Sequence, residues 1–166
     1  MTDKNFKKIF KKIAKEYDQN FQNYGDSPKS TGQRNTNTQE KRLSVLMEVG
    51  NLKKAKILDF GCGTGHLYSF LKKKINFKGE YVGYDISSEM INFAKKKHKK
   101  ARFENINILN KRINENFDYV LINGTFNNKT KNNFLWVKKC LKILFKKTKK
   151  AIAFNNLTTY VDYFDK

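Results

Sequence analysis

One acidic residue and three glycines stand at regular spacing in the stretch DFGCGTG, as Asp59, Gly61, Gly63 and Gly65. Glycines spaced in this way allow positive φ angles and let a ligand approach the backbone closely, because no Cβ lies in the way. A dinucleotide would require the spacing G-x-G-x-x-G, but His66 occupies the position of the last glycine. The Asp59 carboxylate would also repel a phosphate and attract an ammonium group. The stretch therefore favours a ligand that carries an amino acid over one that carries a pyrophosphate.

A second carboxylate, Asp85, ends the apolar stretch EYVGYD. A single carboxylate can accept hydrogen bonds from two adjacent hydroxyl groups, as a ribose would offer. The histidines are poor candidates for a general base, since His66 begins a predicted helix and His98 lies in a lysine run. Cys62 lies in the glycine-rich turn and Cys140 in a predicted helix, so the sequence indicates neither a disulfide nor a metal site.

Short apolar strands alternate with amphipathic helices from residue 56 onward. The expected strands are KILDF, EYVGYD, ARFENI, FDYVLIN and AIAFNN, in chain order. This alternation predicts a doubly wound α/β fold with a mostly parallel sheet, whose ligand crevice lies beyond the carboxyl ends of the strands. The helix expected over residues 131 to 147 would bury Phe134, Val137, Leu141, Leu144 and Phe145 along one side.

The first 52 residues follow a different pattern. Apolar residues recur at helical spacing over residues 4 to 21, and a second amphipathic helix is expected between Thr36 and Gly50. We therefore expect residues 1–52 to form a helical extension packed on a core domain of residues 53–166. The lysine-rich face of the first helix is either solvated or binds an anionic surface.

The formal net charge of +20 suggests a nucleic-acid partner, but the composition weakens that interpretation. Of the 35 basic residues only Arg34, Arg42, Arg102 and Arg112 are arginine, the residue type that suits phosphate and base recognition best. A lysine excess together with abundant asparagine is also what low-GC codon usage produces. The lysine runs fall at the predicted helix C-termini, at the edge opposite the crevice. The sequence has no apolar run near the ~20 residues of a membrane span and no signal-peptide pattern, so we expect a cytoplasmic protein.

These motifs resemble those of the class I S-adenosylmethionine-dependent methyltransferases, over residues 56 to 156. By that resemblance the DFGCGTG loop passes beneath the methionine part of the cofactor, and Asp59 serves its amino group. Asp85 would bind both ribose hydroxyls, and Ile86 would lie against the adenine. The loop residues that would line the cofactor are Gly61, Cys62, Gly63 and Gly65.

The resemblance extends to weaker positions after strands 3 and 4. Asn107 stands where the family usually has an Asp that accepts the adenine amino group, and Ile108 would supply a backbone N–H. Asn123 would join the cofactor contacts. Arg42 either reaches the cofactor carboxylate or is an ordinary surface residue. Three further polar residues lie on the substrate side and could equally be turn formers: Thr125, Asn127 and Asn155.

The acceptor is less well defined. The segment after strand 4, NGTFN, lacks the Asp/Asn-Pro-Pro-aromatic and Pro-Cys signatures of base methyltransferases. The leading hypothesis is therefore in-line methyl transfer to a small-molecule acceptor, with no catalytic residue identified. The alternatives are an RNA-directed methyltransferase and a non-catalytic domain that binds S-adenosylmethionine.

The resemblance also predicts the order of the strands. The family's sheet usually has the order 3-2-1-4-5-7-6, and the sequence accounts only for strands 3-2-1-4-5, without the 7-6 hairpin. Strand 5 would then be an open edge, which proteins normally avoid. We expect either that the S-adenosylmethionine-binding core of residues 53–166 is truncated or that a second copy of the chain, as a homodimer, or another partner covers this edge.

Overall fold

The structure, a computed structural model, describes residues 3–32, 35–127 and 133–156. In these ranges the helices are α1 (Asp3–Tyr24), α2 (Thr36–Met47), α3 (His66–Ile75), α4 (Ser88–Lys97) and α5 (Asn133–Phe145). The strands are β1 (Lys56–Phe60), β2 (Glu80–Asp85), β3 (Arg102–Asn105), β4 (Phe117–Ile122) and β5 (Thr148–Phe154). Two short 3₁₀ helices cover Pro28–Thr31 and Thr125–Asn127.

The strands form one sheet in the order β3-β2-β1-β4-β5, and every neighbouring pair is parallel. This order confirms the predicted doubly wound α/β fold. The central strand β1 is buried at every position except Lys56, as expected for a parallel strand covered on both faces. Within the described ranges β5 is the last strand on its side of the sheet.

Two apolar clusters cover the two faces of the sheet. On one face α1 and α5 pack against the sheet through residues such as Phe10 and Trp136, whose ring centroids lie 5.6 Å apart. On the other face α2 and α3 contribute Leu43 and Leu71. Helix α4 adds Ile91 to the second cluster and contacts β2 and β3.

Helix α1 is tied to the core by more than its apolar stripe. Phe6, Phe10 and Ile13 are buried, as the helical spacing predicts. In addition, the Asp18 carboxylate accepts hydrogen bonds at the start of α4: from Ser87 Oγ at 2.6 Å, Ser88 Oγ at 3.3 Å and the Glu89 N–H at 3.2 Å. A carboxylate at a helix N-terminus satisfies donors that have no partner within the helix. Helix α1 therefore bridges α5 and α4 across the sheet edge where the strands end.

Helix α5 differs from its prediction. The structure buries Trp136, Cys140 and Leu144, whereas Phe134 and Phe145 are 81% and 75% exposed. Leu144 is buried and Val137 and Leu141 are partly buried against the core, in agreement with the prediction. Apolar residues occupy so many positions of this helix that spacing alone did not give the limits of its buried face. The predicted start at residue 131 lies outside the described residues.

The lysine runs at 72–74 and 95–97 occupy the last turns of α3 and α4, as predicted. None of the helices in the described ranges combines the length and apolarity that a bilayer crossing requires. The same ranges contain no cluster of three or more His, Cys, Asp or Glu side chains arranged to hold a metal ion.

Candidate functional site

A cavity of about 670 Å³ opens at the carboxyl ends of β1, β2 and β4, where the fold predicts the ligand crevice. Its volume lies in the range of sites for drug-sized ligands. The structure brings together there these sequence-predicted residues: Arg42, Asp59, Gly61, Cys62, Gly63, Asp85, Ile86, Asn107, Ile108, Asn123, Thr125 and Asn127. Gly65 and Asn155 lie beside this group without lining the cavity.

Backbone hydrogen bonds tie the glycine-rich turn to the end of β2. The N–H groups of Gly61 and Cys62 donate to the Tyr84 carbonyl at 2.7 and 3.1 Å, and the Gly63 N–H donates to Asp85 Oδ2 at 2.8 Å. Gly61 and Gly63 have φ angles of 81° and 52°, in the left-handed region that favours glycine. The two motifs found in the sequence are therefore one hydrogen-bonded unit.

The three glycines serve different purposes. A Cβ on Gly61 would lie 2.0 Å from Thr125 Oγ1, and one on Gly65 would lie 2.7 Å from His98 Cδ2. A Cβ on Gly63 would have its nearest neighbour, Thr31 Cγ2, at 3.6 Å. The sequence interpretation assigned all three glycines to ligand approach. The structure shows that Gly61 and Gly65 also make room for other parts of the protein.

Asp59 is the most strongly perturbed carboxyl group at the cavity. It is 2% exposed, and its Oδ2 accepts a hydrogen bond from the Tyr81 hydroxyl. Burial raises the pKa of Asp59 to about 7, an effect that the Tyr81 hydrogen bond opposes and the nearby negative charge of Asp85 reinforces. Its Oδ1 accepts no hydrogen bond from any described residue. This oxygen suits a cationic ligand group, whose charge would favour the ionised carboxylate.

Both oxygens of Asp85 accept backbone hydrogen bonds and still border the cavity. Oδ1 accepts the Ser87 N–H at 2.9 Å, while Oδ2 accepts the Gly63 N–H. Burial raises the pKa of Asp85, and these backbone donors oppose the rise. Each carboxylate oxygen keeps a further lone pair, so the pair can accept two ligand hydroxyl groups from a fixed orientation.

The segment after β3 is shaped by Asn107. The side-chain Oδ1 of Asn107 accepts the Leu109 N–H at 3.0 Å, and its carbonyl accepts the Asn110 and Lys111 N–H groups at 2.9 and 3.0 Å. The oxygen that the resemblance assigns to the adenine amino group is thus already one acceptor of a local turn. Ile108 lies buried beside it.

The polar residues after β4 and β5 divide into two groups. Asn155 accepts the Gly124 N–H at 2.7 Å and donates to Asn123 Oδ1 at 2.7 Å, so its side chain holds the turn between the strand ends. Thr125 donates to the Phe60 carbonyl at 2.8 Å and lines the cavity, as Asn127 does. For Asn155 the structure therefore favours the turn-forming alternative.

Sequence reasoning missed one wall of the cavity. This wall is formed by two helices: α1 contributes Phe10, Ile13 and Tyr17, and α5 contributes Trp136 and Cys140. The helical spacing of α1 indicated that its apolar residues are buried, but nothing in it indicated that they line a ligand site. The Trp136 Nε1 atom is buried and has no hydrogen-bond partner among the described residues.

The cavity also differs from the rest of the molecule in charge. No lysine is among the described residues that line it, although the chain carries a formal net charge of +20. Its charged lining consists of Glu16, Asp59, Asp85 and Arg42. The lining is therefore more acidic than the protein as a whole, which suits a ligand with positive charge.

Comparison with curated proteins identifies methyltransferases. Malonyl-[acyl-carrier protein] O-methyltransferase of Hamiltonella defensa is 35% identical over 83 residues, which are 47% of this chain and 31% of that protein. Demethylmenaquinone methyltransferase of Staphylococcus aureus is 34% identical over 87 residues, 49% of this chain and 35% of that protein. This chain thus matches about a third of the length of these relatives.

Solved structures share the fold. The plantazolicin methyltransferase BpumL, crystallised with SAH and a pentazolic desmethylPZN analog, gives a TM-score of 0.61 at 24% identity, covering 90% of this chain and 61% of that one. The sugar N-methyltransferase KedS8 from Streptoalloteichus sp. gives 0.61 at 14% identity, covering 90% and 57%. A family model described as a methyltransferase domain matches residues 51–158, which include the glycine-rich turn, Asp85 and the cavity residues that follow β3 and β4. The chain belongs to this methyltransferase-domain family.

Proposed function

We propose that this chain binds S-adenosylmethionine in the cavity and transfers its methyl group to a small-molecule acceptor. The observation that carries the proposal is the link between the glycine-rich turn and the end of β2, where the Gly63 N–H donates a hydrogen bond to Asp85. The buried Asp59 lies on the adjacent strand, β1. Two carboxylates on either side of a close-approach turn match a ligand with an ammonium group at one end and a ribose at the other.

The remaining contacts follow from this orientation. Asp59 Oδ1 would accept the cofactor ammonium, and the backbone of Gly61 to Gly63 would lie beneath the methionine part. Asp85 would accept the ribose hydroxyls. The adenine would lie among Ile86, Asn107 and Ile108. Arg42, on the α2 wall, suits the cofactor carboxylate, while Asn123 borders the end of β4.

Catalysis in this site would rest on alignment. S-adenosylmethionine supplies an electrophilic methyl group on a sulfonium centre, and its transfer leaves a neutral thioether that needs no proton. The residues must therefore hold the acceptor in line and exclude water, and positioning of this kind can contribute roughly 7 to 11 kcal/mol in favourable cases. We assign no general base, since an amine or thiolate acceptor needs none if it arrives deprotonated.

The acceptor would lie against the cavity wall that α1 and α5 form. Phe10, Tyr17 and Trp136 would contact its apolar body, and Thr125 and Asn127 offer polar contacts at the floor. The lack of lysine in the described lining argues against RNA, because phosphate binding would require cations beside the reacting group. This leaves a small acceptor without phosphate groups as the best-supported class.

Location and assembly are further parts of the proposal. Both cysteines are buried free thiols, which agrees with a reducing, cytoplasmic location. Within the described residues β5 is the outermost strand on its side of the sheet, and its edge is the surface where we expect a second copy or another partner to bind.

Calorimetric titration with S-adenosylmethionine tests the cofactor assignment. Asp85→Ala should weaken binding at least tenfold, because it removes both ribose acceptors. Glu48→Ala is the matched control: it removes one negative charge from the exposed end of α2, and we expect unchanged affinity. Absence of binding to the unmodified chain at millimolar ligand would refute the proposal.

Two further measurements separate the alternatives. A salt series with bulk RNA should give no saturable, steeply salt-dependent complex, whereas such a complex would favour the RNA-directed enzyme. Incubation of the chain and cofactor with a small-molecule extract, followed by mass spectrometry, should produce a compound heavier by one CH₂. Cofactor binding without such a product would favour the non-catalytic domain.

A further inference from the structure

Tyr81 donates a hydrogen bond to the cavity residue Asp59 from a position outside the cavity lining. The glycine-rich turn and Asp85, the two motifs found in the sequence, give no reason for this hydrogen bond. Tyr81 is 2% exposed and does not line the cavity. In the sheet register Tyr81 is paired with Ile57, and Asp59 is paired with Gly83. Because residues two apart on a strand share a face, Tyr81 and Asp59 project to the same side of the sheet. Gly83, directly opposite Asp59, places no side chain between them.

The Tyr81 ring is held in place by its aromatic neighbours. Its centroid lies 5.0 Å from that of Tyr68 and 5.7 Å from that of Phe103. Burial and the adjacent Asp59 raise the pKa of the Tyr81 hydroxyl well above its usual value, so the group stays protonated. It therefore acts as the donor to Asp59 Oδ2, from a position that the packed rings fix.

This hydrogen bond has two effects on the carboxylate. It uses one acceptor site of Oδ2, so Oδ1, which accepts no hydrogen bond from the described residues, has more acceptor capacity for a ligand group. It also stabilises the ionised form of a carboxylate that has been removed from water, and hydrogen bonds to charged groups are stronger than those between neutral groups. Both effects bear on a cationic ligand and neither bears on a neutral one.

We infer that Tyr81 is a positioning residue for the ligand's ammonium group, acting through Asp59. This inference rests on the proposed function, because the ammonium is that of S-adenosylmethionine. Tyr81 touches no ligand atom; it determines which carboxylate oxygen faces the cavity and favours the ionised form of the carboxylate. The role predicts an effect that depends both on the ligand's amino group and on pH.

The test is calorimetric titration of Tyr81→Phe between pH 6 and pH 9. With S-adenosylmethionine we expect affinity roughly tenfold below that of the unmodified chain at pH 7, because the pKa of Asp59 rises without its donor. The difference should shrink toward pH 9, where Asp59 is ionised in both proteins. Each pH is compared between the two proteins, since the ligand's own amino group also titrates in this range.

A second ligand separates positioning from packing. 5′-Methylthioadenosine keeps the adenine and ribose but has no amino acid, so its affinity should be the same for Tyr81→Phe and the unmodified chain. Tyr119→Phe is the matched variant: Tyr119 is a buried tyrosine of β4 in the same apolar cluster, and we expect no change in the pH profile.

The outcomes are distinguishable. Equal weakening of both ligands at every pH, or an unchanged affinity for S-adenosylmethionine, would overturn the role of Tyr81 while leaving the proposed function intact. If the unmodified chain bound neither ligand, the proposed function and the inference that depends on it would both fail. A loss confined to the amino-bearing ligand and relieved at high pH is the result we expect.

Discussion

Replacing Asp59 by Asn should make the folded chain more stable at neutral pH while weakening cofactor binding. Asp59 is a buried carboxyl group, and its pKa rises from 3.8 to about 7 on folding because burial penalises the charged form. The folded state therefore binds its proton more tightly than the unfolded state. The stability associated with Asp59 is complete below pH 3.8 and is lost as the pH rises toward 7.

The size of the effect follows from the pKa difference. A shift of this size corresponds to at most about 4 kcal/mol above pH 7, at ~1.4 kcal/mol per pKa unit. Asn can still accept the Tyr81 hydroxyl, but its new N–H₂ group needs a partner and offsets part of the gain. We expect a net stabilisation of about 1 to 3 kcal/mol at pH 8, or several degrees in the melting temperature.

Urea denaturation of both proteins from pH 5 to pH 8 measures this directly. The difference in free energy of unfolding should grow as the pH rises and level off above pH 7, because Asp59 is the only group that differs. A difference that is independent of pH, or a variant that is less stable at pH 8, would refute the burial argument. The same variant should bind S-adenosylmethionine more weakly, a trade between stability and function that is common at ligand sites.

Two further predictions, which use three substitutions, test how the cavity is built. Asp18→Ala removes the hydrogen-bond acceptor that α1 provides at the start of α4. Urea denaturation should show a free energy of unfolding lower by about 0.5 to 2 kcal/mol, as for a lost helix cap. An unchanged free energy of unfolding would mean that solvent satisfies the donors of α4 equally well. Gly61→Ala places a Cβ 2.0 Å from Thr125 Oγ1, so its melting temperature should fall further than that of Gly63→Ala, where the nearest atom is 3.6 Å away. Both glycines have positive φ, so a larger fall for Gly63→Ala would contradict the steric argument.

The sequence predicted the sheet and the placement of the glycine-rich turn beside Asp85 because both are encoded locally. Each strand is a short apolar run, and the glycine-rich turn and Asp85 lie directly at strand ends. In a parallel sheet those ends share one edge, so no long-range information was needed to bring them together. The strand order came from the family resemblance, and the structure has the same order.

The cavity wall formed by α1 and α5 could not be predicted in this way. Phe10 and Trp136 are more than a hundred residues apart, yet their rings pack together beside the cavity. Helical spacing indicates that a face is apolar, but not which element it meets. On α5 the prediction was right for Leu144, but it included Phe134 and Phe145, which are exposed, because apolar residues occupy more than one face of this helix.

The hydrogen bond from Tyr81 to Asp59 was equally invisible in the sequence. Tyr81 looks like an ordinary strand residue, since an aromatic side chain at an alternating position fits a packed sheet. Its role depends on register, which pairs Asp59 with Gly83 and so places Tyr81, two positions before Gly83, on the same face as Asp59. Periodicity predicts strands but not their register, so a buried polar pair across two strands emerges only from the fold.

The distribution of charge explains why the net charge of +20 is a poor guide to the ligand. The lysine runs of α3 and α4 lie in the last helical turns, where cations are stabilised by the helix dipole, and those turns point away from the strands' carboxyl ends. Asp59 and Asp85 lie at the opposite edge, in a cavity whose described lining contains no lysine. A ligand at the cavity therefore meets a local field set first by the charged groups that line it, which are these two carboxylates, Glu16 and Arg42, while exposed charges farther away are screened by salt. A strongly basic surface is therefore compatible with a cationic ligand in this cavity, because most of the charged groups in its described lining are acidic.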